Sequence, residues 1–325
     1  MTQAAERRGT GWPWAFVVLA GLLVAGRFWL APLLTHPALR TWATVFVAVC
    51  VQALPFLLFG VALSAAITAF VPASFWTRAL PRHPYAAVPV AGVAGAVLPG
   101  CECASVPVAS GLMARGVAAP AALAFLLASP AINPVVLVAT AVAFPGQPSM
   151  VVARFCASLA VAVLAGWVWA RFGRAEWLPV PRRAASGHDG HGGRWDAFTG
   201  AMCHDLLHAG GFLVVGALAA ATLNVVVPRE WLTAVAGVPV VSVLVLAFLA
   251  VLLSICSEAD AFVAASLTAF SPTAKLAFLV VGPMVDLKLI ALQAGTFGVA
   301  FVRRFVPMTL GLAIGVSFVA GWAVL

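Results

Sequence analysis

From Thr41 onward the chain is a series of apolar runs, each close to the roughly 20 residues that a helix needs to cross a bilayer. No other feature restricts the fold as much. Hydrophobic residues make up 63% of the 325 and charged residues 9%, with a mean hydropathy of +1.08. A soluble domain carries roughly 25% charged residues. One aqueous core cannot hide this much apolar surface, but a bilayer can. The chain therefore reads as an all-α integral membrane protein, with lipid as its first partner. The single Tyr and the abundant Gly, Ala, Val and Pro fit helices packed through small residues. The formal net charge is +8, but the arginines fall between apolar runs, where they act as topology signals and headgroup contacts. Nucleic acid is not an expected partner.

About nine hydrophobic segments are expected, one or two of them re-entrant. Residues 1–40 hold a polar start with Arg7 and Arg8, then a first span from Trp12 to Leu34 that contains Arg27. This run is long and lacks a clean cleavage site, so it reads as a retained helix and not a signal peptide. Residues 41–172 hold a first repeat and a linking helix. Residues 173–198 are polar and rich in Gly, His and Arg, a solvated linker that includes His188 and His191. Residues 199–325 hold a second repeat and a C-terminal helix. The basic stretch 171–194 favours a cytoplasmic position for that linker.

The two halves can be laid on each other. Phe56, Leu57 and Gly60 fall on Phe212, Leu213 and Gly216. At a slightly different offset, Cys103 falls on Cys256, Phe125-Leu126 on Phe278-Leu279, and Pro130 on Pro283. Such repeats are common in secondary transporters, whose substrate sites form between them at broken helices. The sequence leaves open whether these repeats are parallel or inverted.

The breaks carry the chemistry. Pro99-Gly100 interrupts one apolar run, Pro130 and Pro134 flank Asn133 in another, and Pro283 interrupts a third. Unpaired backbone in hydrocarbon costs several kcal/mol, so such breaks belong in protein or beside a wet cavity. Glu102, Glu258, Asp260, Asp286 and Lys288 lie in or beside these runs, and intramembrane charges are functional candidates by default. Asp286 and Lys288 point different ways on a regular helix, so a direct pair between them requires unwinding. Cys101 and Cys103 flank Glu102. With Cys256 they would supply three thiols from two breaks, a trigonal site for a soft cation or metalloid. Cys50 and Cys156 read as packing residues, and His204 and His208 as an interfacial polar turn.

Pro99-Gly-Cys-Glu-Cys-Ala-Ser-Val-Pro107, Gly111-Leu-Met-Ala-Arg-Gly116, the Phe125–Pro134 stretch and Pro283-Met-Val-Asp-Leu-Lys288 together resemble the predicted-permease family that includes the ArsP-type organoarsenical efflux permeases. The resemblance runs from about residue 41 to the C-terminus. It implies a polytopic inner-membrane permease, which in some members exports trivalent organoarsenicals through cysteine coordination. Its Cys motif lands on Cys101 and Cys103, while Cys256 follows from the repeat.

The expectation is therefore a permease and not an enzyme, with no cofactor. It would export a small thiophilic metalloid or metal species, with a trivalent organoarsenical as the leading candidate. Cys101, Glu102, Cys103, Asn133, Cys256, Glu258, Asp260, Asp286 and Lys288 would form its binding site. Protons and a second copy of the chain are further expected partners. No Walker-type run appears, so a gradient or a partner would drive transport. The alternatives are a membrane thiol oxidoreductase using Cys101 and Cys103, a permease for an unrelated solute, and a structural subunit.

Overall fold

The structure is a computed structural model that describes residues 37–70, 81, 83–96, 102–178, 194–226, 238–257 and 259–325. The expected first span, most of the Gly/His linker, and Pro99, Gly100, Cys101 and Glu258 lie outside the described residues. All regular structure among the described residues is helical. Five stretches are long and apolar enough to cross a bilayer, accompanied by shorter apolar helices.

Two of the longest helices, α1 (Pro37–Phe70) and α7 (Arg194–Val226), pack on each other. The Trp42 indole donates to Thr222 Oγ1 at 3.0 Å near one end, and Phe70 meets the Trp195 ring at 5.5 Å near the other. The pair is therefore antiparallel along its whole length. α7 begins at Arg194, so it takes in five residues of the stretch read as linker.

The remaining apolar runs are more broken than uniform spans of about 20 residues would be. Ala86–Met113 holds α2 (Pro84–Gly95) and α3 (Glu102–Ala114). Pro120–Phe144 holds α4 (Ala119–Ile132) and α5 (Pro134–Ala143). The run from Val238 to Phe270 divides into α8 (Pro239–Leu253) and α9 (Asp260–Ser266). Ala274–Val299 divides into α10 (Pro272–Val281) and α11 (Leu287–Phe297). Among the described residues of these runs, only α6 (Pro148–Phe172) and α12 (Val299–Val324) continue unbroken, for 25 and 26 residues.

Local chemistry fixes these breaks. A residue before proline is pushed out of the helical region, and Asn133 sits at φ −66°, ψ 157°. Its side chain then caps α5, with Oδ1 accepting from the Val136 N–H at 2.9 Å. The earlier Pro130 does not break anything: it lies inside α4, which continues to Ile132. A proline removes one helical hydrogen bond, and two more residues keep the helix before the cap takes over. Pro283 lies in the turn between α10 and α11. There Asp286 caps α11, accepting from the Leu289 N–H at 2.6 Å. Ser254 ends α8 in the left-handed region at φ 46°.

Contacts between helix ends give each element a direction. The Trp167 indole, late in α6, donates to Tyr85 O at the start of α2. Gly166 packs on Pro120 O at the start of α4. Trp169 meets Phe301 and Phe305, early in α12, at 5.2 and 5.7 Å. These contacts define one end of the bundle. At the far end, Gly321 of α12 packs on Thr273, which opens α10. The path α4–α5 thus runs away from the first end, and α10–α11 runs back toward it. α2 sets out from the first end and stops inside, where Gly95 meets Ala128 and Ser129. α3 returns to that end, since residues 115–118 join it to the start of α4. On the opposite side, α8 stops where Ala250 approaches Gly282 at the end of α10, and α9 leads back to the start of α10. Each of these helix pairs turns back inside the protein.

Candidate substrate site

The tips of these two hairpins meet in the interior. Glu102 and Cys103 occupy the first turn of α3, both 1% exposed. Gly60 of α1 allows this approach: a Cβ there would collide with the backbone of Ala104. The matched glycine of α7 does the same for a different helix. A Cβ on Gly216 would lie 2.7 Å from the Cα of Lys288 on α11. Close backbone approach through glycine is the usual device where apolar side chains alone give no driving force between helices.

Lys288 reaches from the start of α11 to Glu102, with Nζ 2.8 Å from Oε1, and also lies 3.4 Å from Asp286 Oδ2. All three groups are at most 3% exposed. The Asp286–Lys288 pair is possible because Asp286 lies outside the helix, in extended conformation at φ −138°, ψ 169°. One cation thus bridges two buried carboxylates, one from each half of the chain. Cys103 and Cys256 both lie within electrostatic range of the same ammonium, and both are buried. Ser257 Oγ stands 3.5 Å from Glu102 Oε2. Ser254 ties the second tip to α11, accepting from the Leu287 N–H at 3.0 Å.

A second buried pair adjoins the first. Arg154 of α6 is 0% exposed. Its Nη2 lies 3.0 Å from Asp260 Oδ2 and donates to Ser257 O at 3.2 Å, and its Nη1 donates to Thr140 Oγ1 on α5 at 2.8 Å. Ser257 is therefore shared: its hydroxyl faces Glu102 and its carbonyl faces Arg154.

Of the residues singled out from the sequence, Glu102, Cys103, Cys256, Asp286 and Lys288 come together around Lys288. Asp260 stands beside them through Ser257. Asn133 is buried at the break between α4 and α5, where it caps α5 and donates to Ser129 O at 3.1 Å. Among the described residues, no three His, Cys, Asp or Glu side chains are arranged to hold a metal ion. Cys101, which would complete the thiol set, lies outside them. His204 is exposed on α7. Sequence reasoning missed Arg154, Ser257 and Thr140. Arg154 was visible by the rule that found Glu102, as an ionisable residue inside an apolar run, Met150–Arg171. The two hydroxyl residues carry no such signal.

A family model described as a predicted permease, ArsP_1, matches residues 38–323. The chain belongs to that permease family. The match takes in every residue of the site described above. The permease is 35% identical over 267 residues to the UPF0718 protein YcgR of Bacillus subtilis strain 168, a match covering 81% of this chain and 90% of that protein. It is 31% identical over 267 residues to a protein of Streptococcus mutans serotype c, covering 81% and 89%. That relative carries the provisional name of a two-component membrane permease complex subunit. No solved structure matches the chain. The permease is a multi-pass membrane protein, with the bilayer as its surroundings and a solute as its cargo.

Proposed function

We propose that this permease exports a small thiophilic species, with a trivalent organoarsenical as the first candidate, through a site between two inverted repeats. The observation that carries the reading is the bridging Lys288. It bridges two carboxylates, with two thiols within electrostatic range, where helices from the two halves meet, all away from solvent. Soft cations and metalloids favour thiolate ligands, which Cys103 and Cys256 supply and Cys101 would complete. Glu102, Asp286 and Asp260 would carry protons or balance charge, as would Glu258, two residues from Asp260 in sequence, with Asn133 ordering the break.

The repeat reading gains support from helix boundaries. Adding 153 to Asn133 gives Asp286, and both residues cap a helix by accepting from the N–H three residues on. The matched helices α1 and α7 run antiparallel, and so do the paths α4–α5 and α10–α11. Repeats of opposite direction are related by an axis in the membrane plane. α2–α3 and α8–α9 would then be re-entrant hairpins that enter from opposite faces, and rocking of one half on the other would expose the site alternately. Exposed Arg171, Arg174, Arg303 and Arg304 gather where α6 ends and α12 begins, with Arg304 stacked 4.4 Å over the Trp177 ring. Such clustering favours the cytoplasmic side for that end. The name of the Streptococcus relative supports a second subunit as a partner, and a homo-oligomer is the other assembly to examine.

The test is uptake of trivalent methylarsenite into everted membrane vesicles. Wild type, Cys101→Ser, Cys103→Ser and Cys256→Ser would be compared at matched levels of folded protein, with a proton gradient present. Uptake by wild type that is lost in the cysteine variants supports the soft-metalloid reading. Uptake retained in all three makes the thiols packing residues. No uptake by wild type removes the arsenical and leaves a permease for another solute.

A further inference from the structure

The two hairpin tips are braced in a reciprocal way. Lys288, from the second half, reaches Glu102 in the first turn of α3. Arg154, from the first half, reaches Asp260 in the first turn of α9. Each half thus sends one buried cation to the tip of the other half's hairpin. The two contacts are not images of each other under the offset of 153. That shift carries Glu102 to position 255 and Arg154 to position 307, which hold Ile255 and Pro307.

The second tip needs such a brace. Between α8 and α9, Ile255, Cys256 and Ser257 are not helical. The N–H groups of Ala259 and Asp260 both turn back to Cys256 O, at 2.9 and 3.0 Å. α9 has only seven residues and no side-chain cap bond at its N-terminus. A helix this short is not stable by its own propensity. Arg154 holds this tip from another helix. A planar guanidinium offers several donors in a fixed fork. Here the fork reaches three separate elements: Thr140 on α5, the Ser257 carbonyl in the tip, and the Asp260 carboxylate on α9. The tip that Arg154 reaches adjoins the Lys288 site. Cys256 precedes Ser257 in the chain, and the Ser257 hydroxyl faces Glu102.

We propose that Arg154 is a positioning residue, which holds the tip of the second hairpin so that Cys256 and Ser257 face the Lys288 site. This rests on the reading of that site as the place where cargo binds. Its test, however, uses no cargo, so failure of the arsenical reading and failure of this proposal show up separately. Replacing a buried ion pair by apolar residues is often neutral for stability. The proposal therefore concerns where the tip sits and not how stable the whole protein is.

The experiment measures thiol protection. Two forms of the full chain are prepared in native membranes, one keeping only Cys256 and one keeping only Cys103, with the other cysteines changed to Ser. Each is reacted with N-ethylmaleimide and labelling is followed by mass. Local opening sets such rates when the thiol is buried, and Cys256 is only 4% exposed. Arg154→Met is expected to speed labelling of Cys256 by about tenfold or more while Cys103 stays within about twofold, because release of the tip is a local opening. Arg154→Lys keeps the charge but not the fork, and is expected to give a smaller rise. Adding Asp260→Asn to Arg154→Met also removes the negative charge that Arg154 faced, and labelling of Cys256 should stay fast. Three results would overturn the proposal. The Cys256 rate is unchanged in both Arg154 variants. The two thiols speed up together, which marks general loosening. The double variant regains the wild-type rate, which assigns the whole effect to an unpaired charge.

Discussion

Lys288→Met gives the sharpest test of the bridging cation. Methionine keeps much of the length and packing of the lysine stem but leaves Glu102 and Asp286 facing each other without a counter-charge. Glu102 is 1% exposed and Asp286 is fully buried. Removing one partner of a buried pair costs about 3–5 kcal/mol, most of it from the charge left behind. Here one substitution removes the close ion pair of Glu102 among the described residues, the 2.8 Å contact with Lys288, and Ser257 Oγ stands farther off at 3.5 Å. Asp286 keeps its bond from the Leu289 N–H and is expected to suffer less. The variant should therefore lose about 3–5 kcal/mol in an unfolding titration with SDS in mixed micelles. Adding Glu102→Gln removes the orphaned charge, so the double variant should recover to within about 1–2 kcal/mol of wild type, as expected when both members of a buried pair go. A loss under about 1 kcal/mol in the single variant is the scale of an exposed pair and would refute the buried bridge. So would a double variant less stable than the single one, because the cost would then come from packing and not from charge.

Two further perturbations test how the site is held in place. Gly216→Ala puts a Cβ 2.7 Å from the Lys288 backbone, and Gly60→Ala drives one into Ala104. Each should cost about 1–3 kcal/mol as overpacking and should reduce transport, whereas Gly200→Ala, at a position with open space, should be silent in the same unfolding and uptake assays. The inverted arrangement predicts opposite accessibility for the two hairpin entrances. A cysteine at exposed His83, before α2, and one at exposed Val238, before α8, should be labelled by a membrane-impermeant maleimide from opposite sides of the membrane. Labelling of both from one side would rule out inverted repeats.

The sequence determined the class of protein and which charged residues lie inside its apolar runs. A chain with 63% hydrophobic and 9% charged residues has a bilayer as its natural solvent, and charges inside its apolar runs are costly enough to mark themselves. Asn133-Pro134 also wrote its break directly, because proline restricts the residue before it. Tertiary structure decided the rest. Whether an apolar run crosses the bundle or turns back inside depends on which helix ends touch, and hydropathy reads the same either way. The Lys288–Glu102 and Arg154–Asp260 pairs join residues 186 and 106 positions apart, so no local pattern announces them. Ser257 and Thr140 gain their roles only because a buried guanidinium needs acceptors and finds theirs. Composition and proline chemistry act within a few residues of where they are written. Pairing of charges across the two halves is settled by the packing that takes them out of water.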